Sequence, residues 1–183
     1  MKRKEFLNSA CLFGICSCVG MPFLAGPELH AAPLIDKKEE DWRIGFMQRR
    51  FSKVLDIVNS KVGVERRKEI IEELGRECAK DNQDFYLKYK DNIEGFFAEI
   101  KARWIESAEY NREERTIKLI GKKTGACGCP FVDKSLITKD LCGCSLGYQK
   151  EVYGAILGRP VESDILESVL YGGERCSFLI TVK

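Results

Sequence analysis

The spacing of the apolar residues changes close to Trp104 in this chain of 183 residues. Before that point apolar residues recur with the period of an amphipathic helix. Beyond it, residues 115–120 alternate between polar and apolar side chains, as a half-buried strand does. This change of period predicts an α+β fold: a helical N-terminal half followed by a small antiparallel sheet with one inserted helix.

Local signals place the helices of the first half. Residues 36–60 and 64–80 are predicted to be helical, with Gly63 as the break between them. Asp91 and Glu94 have the spacing of a capping box, which predicts the start of the last helix of this half. The aromatic residues that follow are expected either to pack in the core or to line a pocket for a small organic ligand. These residues are Phe96, Phe97, Trp104 and Tyr148.

The second half contains the predicted sheet. Residues 145–157 form the inserted helix, and the segments 161–171 and 176–182 are rich in residues that favour strands. Gly172-Gly173 between these two segments indicates a hairpin turn. Residues 121–144 contain several glycines and a proline, so this cysteine-rich segment is predicted to be mostly loop.

The N-terminus has the pattern of an export signal. Three basic residues within the first four positions precede an uncharged stretch, and small residues near position 32 offer a cleavage site. Arg3-Lys4-Glu5-Phe6-Leu7 resembles the twin-arginine export motif, with lysine in place of the second arginine. We therefore expect residues 1–32 to be a signal peptide and residues 33–183 to be one exported domain, periplasmic or at the cell surface of a bacterium. An ordinary secretory signal is the alternative, and the sequence leaves open whether the domain is soluble or lipid-tethered.

Composition excludes several classes of function. The net charge of +2 gives no electrostatic argument for nucleic acid as a partner. Beyond the signal, no apolar run is long enough to span a bilayer. Removal of residues 1–32 would take away three of the nine cysteines and the one histidine, leaving six cysteines and no histidine. Catalysis by a Ser-His-Asp or Cys-His arrangement, and zinc bound by histidine, are then excluded.

Two identical Cys-x-Cys pairs are the main candidate site. Cys127 and Cys129 form the first pair, and Cys142 and Cys144 the second, with twelve residues between the pairs. Four thiolates can hold zinc, another thiophilic metal or an iron–sulfur cluster, and the spacing does not choose among them. In an oxidising compartment the same residues can instead form disulfides that staple the loop, in which case no metal is bound.

A third hypothesis is a nucleophilic thiol. Cys142 and Cys144 precede the predicted start of a helix at Ser145, where backbone N–H groups and the helix dipole stabilise a thiolate. One of these two cysteines would then be catalytic, and without histidine the activating base would be a carboxylate, a lysine or a tyrosine. The carboxylates near it in sequence are Asp133, Asp140, Glu151 and Glu167. Cys78, by contrast, falls among the apolar positions of its helix and is expected to be buried.

The last third of the chain, about residues 120–183, resembles a known group of proteins. Its motifs are Cys144-Ser145-Leu146-Gly147-Tyr148, Gly158-Arg159-Pro160-Val161, and a stretch from Leu166 through Gly172-Gly173 to Cys176 and Phe178. They look like the end of the 4-vinyl reductase domain, whose broad fold group includes subunits of a vesicle-tethering transport complex. The motifs also resemble the aminothiazoline-carboxylate hydrolase-like group of Cys-rich bacterial proteins.

This resemblance implies a domain that binds small molecules, some members of which hold zinc with cysteines and a glutamate. Cys176 matches the final cysteine, Cys142 or Cys144 the first, and Glu167 is the nearest match to the glutamate. Ser168 stands where the family has its middle cysteine, and the first Cys-x-Cys pair has no counterpart. The hydrolase group would imply opening of a small cyclic amidine or amide.

The hypothesis that unites these observations is an exported, Cys-rich domain that binds a metal and a small organic ligand. The predicted metal ligands are Cys127, Cys129, Cys142, Cys144, Cys176 and Glu167. A thiol- or metal-dependent hydrolase and a disulfide-stapled secreted domain are the two alternatives.

Overall fold

The computed structural model describes residues 42–133, 135–136 and 139–183. The predicted signal peptide, and with it the twin-arginine-like motif, lies outside the described residues. The first described helix, α1, spans Trp42–Lys61, so the first six residues of the predicted helix 36–60 also lie outside them. No helix in the described part combines the length and the apolar character needed to cross a bilayer.

Three more helices follow α1: α2 at Val64–Lys80, α3 at Gln83–Leu87 and α4 at Ile93–Arg103. The prediction of a helix over residues 64–80 is confirmed at both ends. The predicted capping box is wrong by one residue, because Asn92 and not Asp91 is the N-cap of α4. The Asn92 Oδ1 accepts a hydrogen bond from the Gly95 N–H at 3.0 Å, while Asp91 adopts a positive φ of 59° in the turn before it.

Four antiparallel strands form one sheet in the order β1-β2-β4-β3. The strands are β1 at Ile105–Asn111, β2 at Thr116–Gly121, β3 at Val161–Glu167 and β4 at Ser177–Val182. The helix α5, Cys142–Leu157, is inserted between β2 and β3. The predicted fold class is therefore confirmed, as is the turn at Gly172, which adopts a φ of 92°.

The first strand was not predicted from the sequence. Its pairing with β2 shifts between Ile105 and Ser107, so the two buried residues, Ile105 and Ala108, are three positions apart. A bulge of this kind breaks the period-2 alternation that identifies a strand. The turn into β2 uses Asn111, whose Oδ1 accepts hydrogen bonds from the N–H groups of Glu113 and Glu114.

The core lies between the helices and one face of the sheet. In β2, Ile117 and Leu119 are buried and Lys118 between them is exposed, so this strand turns one face inward. The side chains that fill the core come from α4, α5 and the central strands. They include Phe96, Phe97, Ile100, Ile117, Leu119, Val152, Tyr153, Ile156 and Ile180.

Helices α2 and α5 pack unusually closely through two glycines. A Cβ atom on Gly75 would lie 1.8 Å from the Cys144 carbonyl oxygen, and one on Gly147 would lie 1.8 Å from the Glu72 carbonyl oxygen. Any larger residue at either position would collide with the backbone of the other helix. Lys150 of α5 joins the same two helices through an ion pair with Glu72 at 2.8 Å. This contact fixes the start of α5, and with it Cys142 and Cys144, against α2.

Candidate functional site

Five cysteines line one small cavity of about 50 Å3. Cys127 and Cys129 reach it from the loop after β2, Cys142 and Cys144 from the start of α5, and Cys176 from the residue before β4. The remaining lining is apolar except for two serines: Val132, Leu141, Ser145, Ile165, Ser168, Leu170 and Phe178. Both Cys-x-Cys pairs and the hairpin cysteine therefore converge in space, although the two pairs are twelve residues apart in sequence.

The second Cys-x-Cys pair belongs to the helix itself. We predicted that α5 would begin near Ser145, but it begins at Cys142, directly after a 3-10 turn at Lys139–Leu141. Cys142 and Cys144 therefore lie in the first turn of α5, where the packing against α2 holds their backbone in place. Cys142 is buried, and its Sγ lies 3.0 Å from the Ser168 Oγ.

Burial decides the protonation of these two thiols. Desolvation raises the pKa of Cys144 to about 12, and the neighbouring thiols of Cys78, Cys129 and Cys127 add to the effect. Desolvation also raises the pKa of Cys142, although its contact with Ser168 acts in the opposite direction. Both shifts run against the expectation that the helix N-terminus would stabilise thiolates here, because the charged form of each thiol loses its hydration in this largely apolar cavity.

Labelling with iodoacetamide at neutral pH should be slow at these buried, protonated thiols. With a pKa of about 12, the Cys144 thiol is almost entirely protonated, and thiols react as thiolates. Cys78 is exposed on α2 and is expected to be labelled at least about 100-fold faster than Cys144. Mass spectrometry of peptides from a time course measures both rates, and the urea-unfolded protein, in which all thiols are accessible, serves as the control. Preferential labelling of Cys144 or Cys142 would instead support the nucleophilic-thiol hypothesis.

The prediction that Cys78 is buried is wrong. The buried residues of α2 are Ile71, Gly75 and Ala79, which recur every four positions. Cys78 lies one residue before Ala79 and is therefore rotated by about 100° from this buried row. The narrow buried face results from the close contact with α5, which the apolar pattern of α2 does not indicate.

Glu167 precedes Ser168, which lines the cavity, but Glu167 itself does not line it. Its Oε1 accepts hydrogen bonds from the backbone N–H of Glu174 at 2.9 Å and of Arg175 at 3.3 Å. The carboxylate thus closes the turn between β3 and β4. Ser168, at the position where the resemblance would require a cysteine, does line the cavity and is buried. The polar group that β3 and its following turn contribute to the site is therefore a hydroxyl.

The thiols that line the cavity form neither a closed metal site nor a disulfide. Across residues 42–133, 135–136 and 139–183, no three histidine, cysteine or acidic side chains are close enough together to hold a metal ion. The structure also joins no two of the six cysteines there by a disulfide. Two thiols are fixed on a helix, one on the residue before β4, and two on an irregular loop. A tetrahedral site would therefore require some of these thiols to move closer together.

The four aromatic residues considered for a ligand pocket do not form one. Phe96 and Phe97 are buried in the core, and Tyr148 packs against its edge. Trp104 lies just beyond α4 with 47% of its surface exposed. None of the four lines the cysteine cavity. Core packing is thus the role of the two phenylalanines, as the alternative interpretation of their spacing proposed.

Comparison with solved structures shows similarity in fold. A trafficking protein particle complex subunit 3 from Naegleria fowleri, covalently bound to palmitic acid, has 12% identity and a TM-score of 0.50, covering 76% of this chain and 94% of that one. The phenol-responsive sensory domain of the transcription activator PoxR, with phenol, has 14% identity and a TM-score of 0.45, with 74% of each chain covered. A vinyl-4-reductase family protein from Methanocaldococcus jannaschii has 17% identity and a TM-score of 0.38, covering 76% of this chain and 81% of that one.

No protein-family profile matches the chain, and no curated protein matches it in sequence. At 12% identity, the similarity to the trafficking subunit shows the fold alone.

Proposed function

We propose that this domain binds a thiophilic metal ion or a small metal cluster through the cysteines of its cavity. The observation that carries the proposal is the convergence of five cysteines, from three separate segments, on one space of about 50 Å3. Cysteines dispersed for packing would have no reason to share one cavity. Thiolate ligands favour zinc, copper(I) and iron–sulfur clusters over hard cations such as magnesium or calcium.

Two features support an inducible site. Cys142 and Cys144 are held by the α2–α5 contact, while Cys127 and Cys129 lie on an irregular loop. In metal sites of this kind, the metal supplies the free energy that orders the last ligands. We propose Cys142 and Cys144 as the fixed half of the site and Cys127 and Cys129 as the mobile half, with Cys176 beside them.

The size of the cavity argues against an organic ligand inside it. At about 50 Å3 the cavity is well below the usual size of small-molecule pockets, which is about 300–1,000 Å3. A fatty acid such as the palmitic acid bound to the trafficking subunit would not fit this space. The cavity suits a single ion or a compact cluster much better.

The proposed location is outside the cytoplasm. Its support is the N-terminal sequence, in which basic residues, an uncharged stretch and a small-residue site follow one another. Twin-arginine export carries folded proteins, so a metal inserted in the cytoplasm would be protected during transport. Fractionation of cells expressing the full chain, with and without Arg3→Ala, would test this route by the amount of protein in the periplasm.

Metal analysis of the full chain, purified without oxygen, tests the proposal. We expect about one metal ion or cluster per chain. In the double variant Cys127→Ser/Cys144→Ser the metal content should fall to less than about a tenth of this value, because each substitution removes a ligand from a different half of the site. Elemental analysis gives the metal, and visible absorption separates an iron–sulfur cluster from zinc.

The matched control is Cys78→Ser, which removes an exposed thiol that does not line the cavity. Its metal content should remain that of the unsubstituted protein. Substoichiometric metal that is equally low in all three proteins would refute the proposal. A fall in Cys78→Ser as large as in the double variant would show that the metal lies elsewhere on the surface.

The convergence of thiols also favours one alternative, a domain stapled by disulfides. Cys142 lies close enough to Cys176 and Cys127 for their charges to influence its pKa. In an oxidising compartment such neighbours can pair. Intact mass of the aerobically purified protein before and after reduction decides between the two, since each disulfide gains two hydrogens on reduction. A native mass that includes a metal and shows no disulfide would favour the metal site.

A further inference from the structure

A second cavity, of about 230 Å3, lies between α2 and the start of α5. On α2 its lining residues are 64, 67, 68, 71 and 72, which occupy one face of that helix. The other side is formed by the start of α5, by β3 and by the turn after β3. The full lining is Val64, Arg67, Lys68, Ile71, Glu72, Asp140, Gly143, Leu146, Ile165 and Tyr171. We call this space the α2–α5 groove.

Apolar side chains and one guanidinium define the chemistry of the α2–α5 groove. Ile71, Leu146 and Ile165 supply apolar surface for the body of a ligand. The Arg67 side chain is only 20% exposed, and its Nε lies 3.5 Å from an Asp140 oxygen. No described residue accepts a hydrogen bond from either of its Nη atoms. A half-buried guanidinium with two such donors is arranged to bind a planar anion in a bidentate manner.

The neighbouring charged groups determine whether a monoanion or a dianion suits the groove better. Glu72 pairs with two cations, Lys150 at 2.8 Å and Arg76 at 3.7 Å. The Asp140 carboxylate, by contrast, stands beside Arg67 with about half of its side chain exposed. A dianion such as phosphate would be repelled by Asp140 more strongly than a monoanion. Lys68 is solvent-exposed at the rim, where it pairs with Glu65 at 3.1 Å. One anionic group at Arg67 and an apolar body against the floor therefore fit best.

We propose that the α2–α5 groove binds a small monocarboxylic acid with an apolar or aromatic body. The carboxylate lies against the Arg67 guanidinium, and the apolar body against Ile71, Leu146 and Ile165. The volume of about 230 Å3 is below the usual range of about 300–1,000 Å3 for small-molecule pockets, which limits the ligand to a small organic acid. The groove contains no thiol, so this proposal does not rest on metal binding.

The groove adjoins the cysteine cavity. Ile165 lines both spaces. Tyr171, on the edge of the groove, also lies beside the Cys142 thiol. An acid bound in the groove would thus lie next to the thiols without displacing them. This position explains how one domain could carry a small-molecule site and a thiol site in separate cavities.

Methyl NMR with benzoate as the probe tests the proposal on the full chain. Titration should shift and saturate the methyl signals of Ile71, Leu146 and Ile165, while those of the core residues Ile117 and Ile180 remain unchanged. Benzamide has the same shape without the charge and should bind at least about tenfold more weakly, since charge-assisted hydrogen bonds contribute much of the affinity. Inorganic phosphate, which lacks the apolar body, should also bind more weakly than benzoate.

Two variants test whether Arg67 is the residue that binds the carboxylate. Arg67→Gln should weaken benzoate binding about tenfold or more, because it removes the charged donors of the groove. The neighbouring Arg66→Gln is the matched control, since Arg66 does not line the groove and is 73% exposed. Its affinity for benzoate should stay within about twofold of the unsubstituted protein. Equal binding of benzoate and benzamide, or no shift of the groove methyls at saturating benzoate, would overturn the proposal even if Arg67→Gln failed to fold.

Discussion

Replacing Gly147 by alanine is expected to destabilise the protein by about 3 kcal/mol or more, because the added methyl group cannot be accommodated. It would stand 1.8 Å from the Glu72 carbonyl oxygen and 2.6 Å from the carbon of that carbonyl. Both atoms belong to the backbone of α2, which cannot rotate away as a flexible side chain can. The helices would have to separate along their whole contact, which would also displace Cys142 and Cys144 from the cavity.

Chemical denaturation followed by circular dichroism measures this effect, and Gly154→Ala is the matched control on the same helix. A Cβ atom at Gly154 would have its nearest neighbour, the Arg159 carbonyl oxygen, at 3.5 Å, an ordinary contact distance. Alanine favours helix over glycine, so this control should be neutral or more stable by up to about 1 kcal/mol. If Gly147→Ala were as stable as Gly154→Ala, the close crossing of α2 and α5 would be incorrect.

Periodicity predicted most of the fold because it reports which residues face a core. The ends of α2 followed from it directly. The strands β3 and β4 were predicted from strand-favouring residues and the Gly172-Gly173 turn, and β3 ends at Glu167 rather than at Tyr171, because residues 169–171 form a 3-10 turn. Periodicity failed at β1, where a bulge interrupts the alternation, and at Cys78, where two glycines bring α5 close to α2 and narrow its buried face. Both failures come from contacts between elements that are distant in sequence, which a local pattern does not contain.

The candidate site, like the fold, was predicted from the sequence only in part. Residue type and spacing identified the five cysteines that share the cavity, including Cys176, which is 49 positions after Cys127. They did not indicate that Glu167 would close a turn or that burial would raise the pKa of Cys144. Nor did they single out Arg67, one of many charged residues on α2, because the sequence does not show which of them faces a groove. How deeply a side chain is buried, and which way it points, are determined by the packing of the whole chain.

Metal affinity is expected to rise about 100-fold or more for each unit of pH near neutrality. Burial raises the pKa of both Cys142 and Cys144, to about 12 for the latter, so both thiols carry protons in the metal-free protein. A metal binds the thiolate, so each of these ligands must release one proton when it coordinates. Two released protons change the apparent association constant about 100-fold per pH unit.

Competition with a chelator at pH 6.5 and 7.5, corrected for the protonation of the chelator itself, measures this dependence. Calorimetry in buffers of different ionisation enthalpy counts the released protons independently. Cys144→Ser removes one protonated ligand, so it should weaken binding and also reduce the count by about one proton. Cys78→Ser should leave the proton count unchanged, since Cys78 lies outside the lining of the cavity. An affinity that is independent of pH would mean that the metal is held by groups already ionised, and the buried thiols of α5 would not be its ligands.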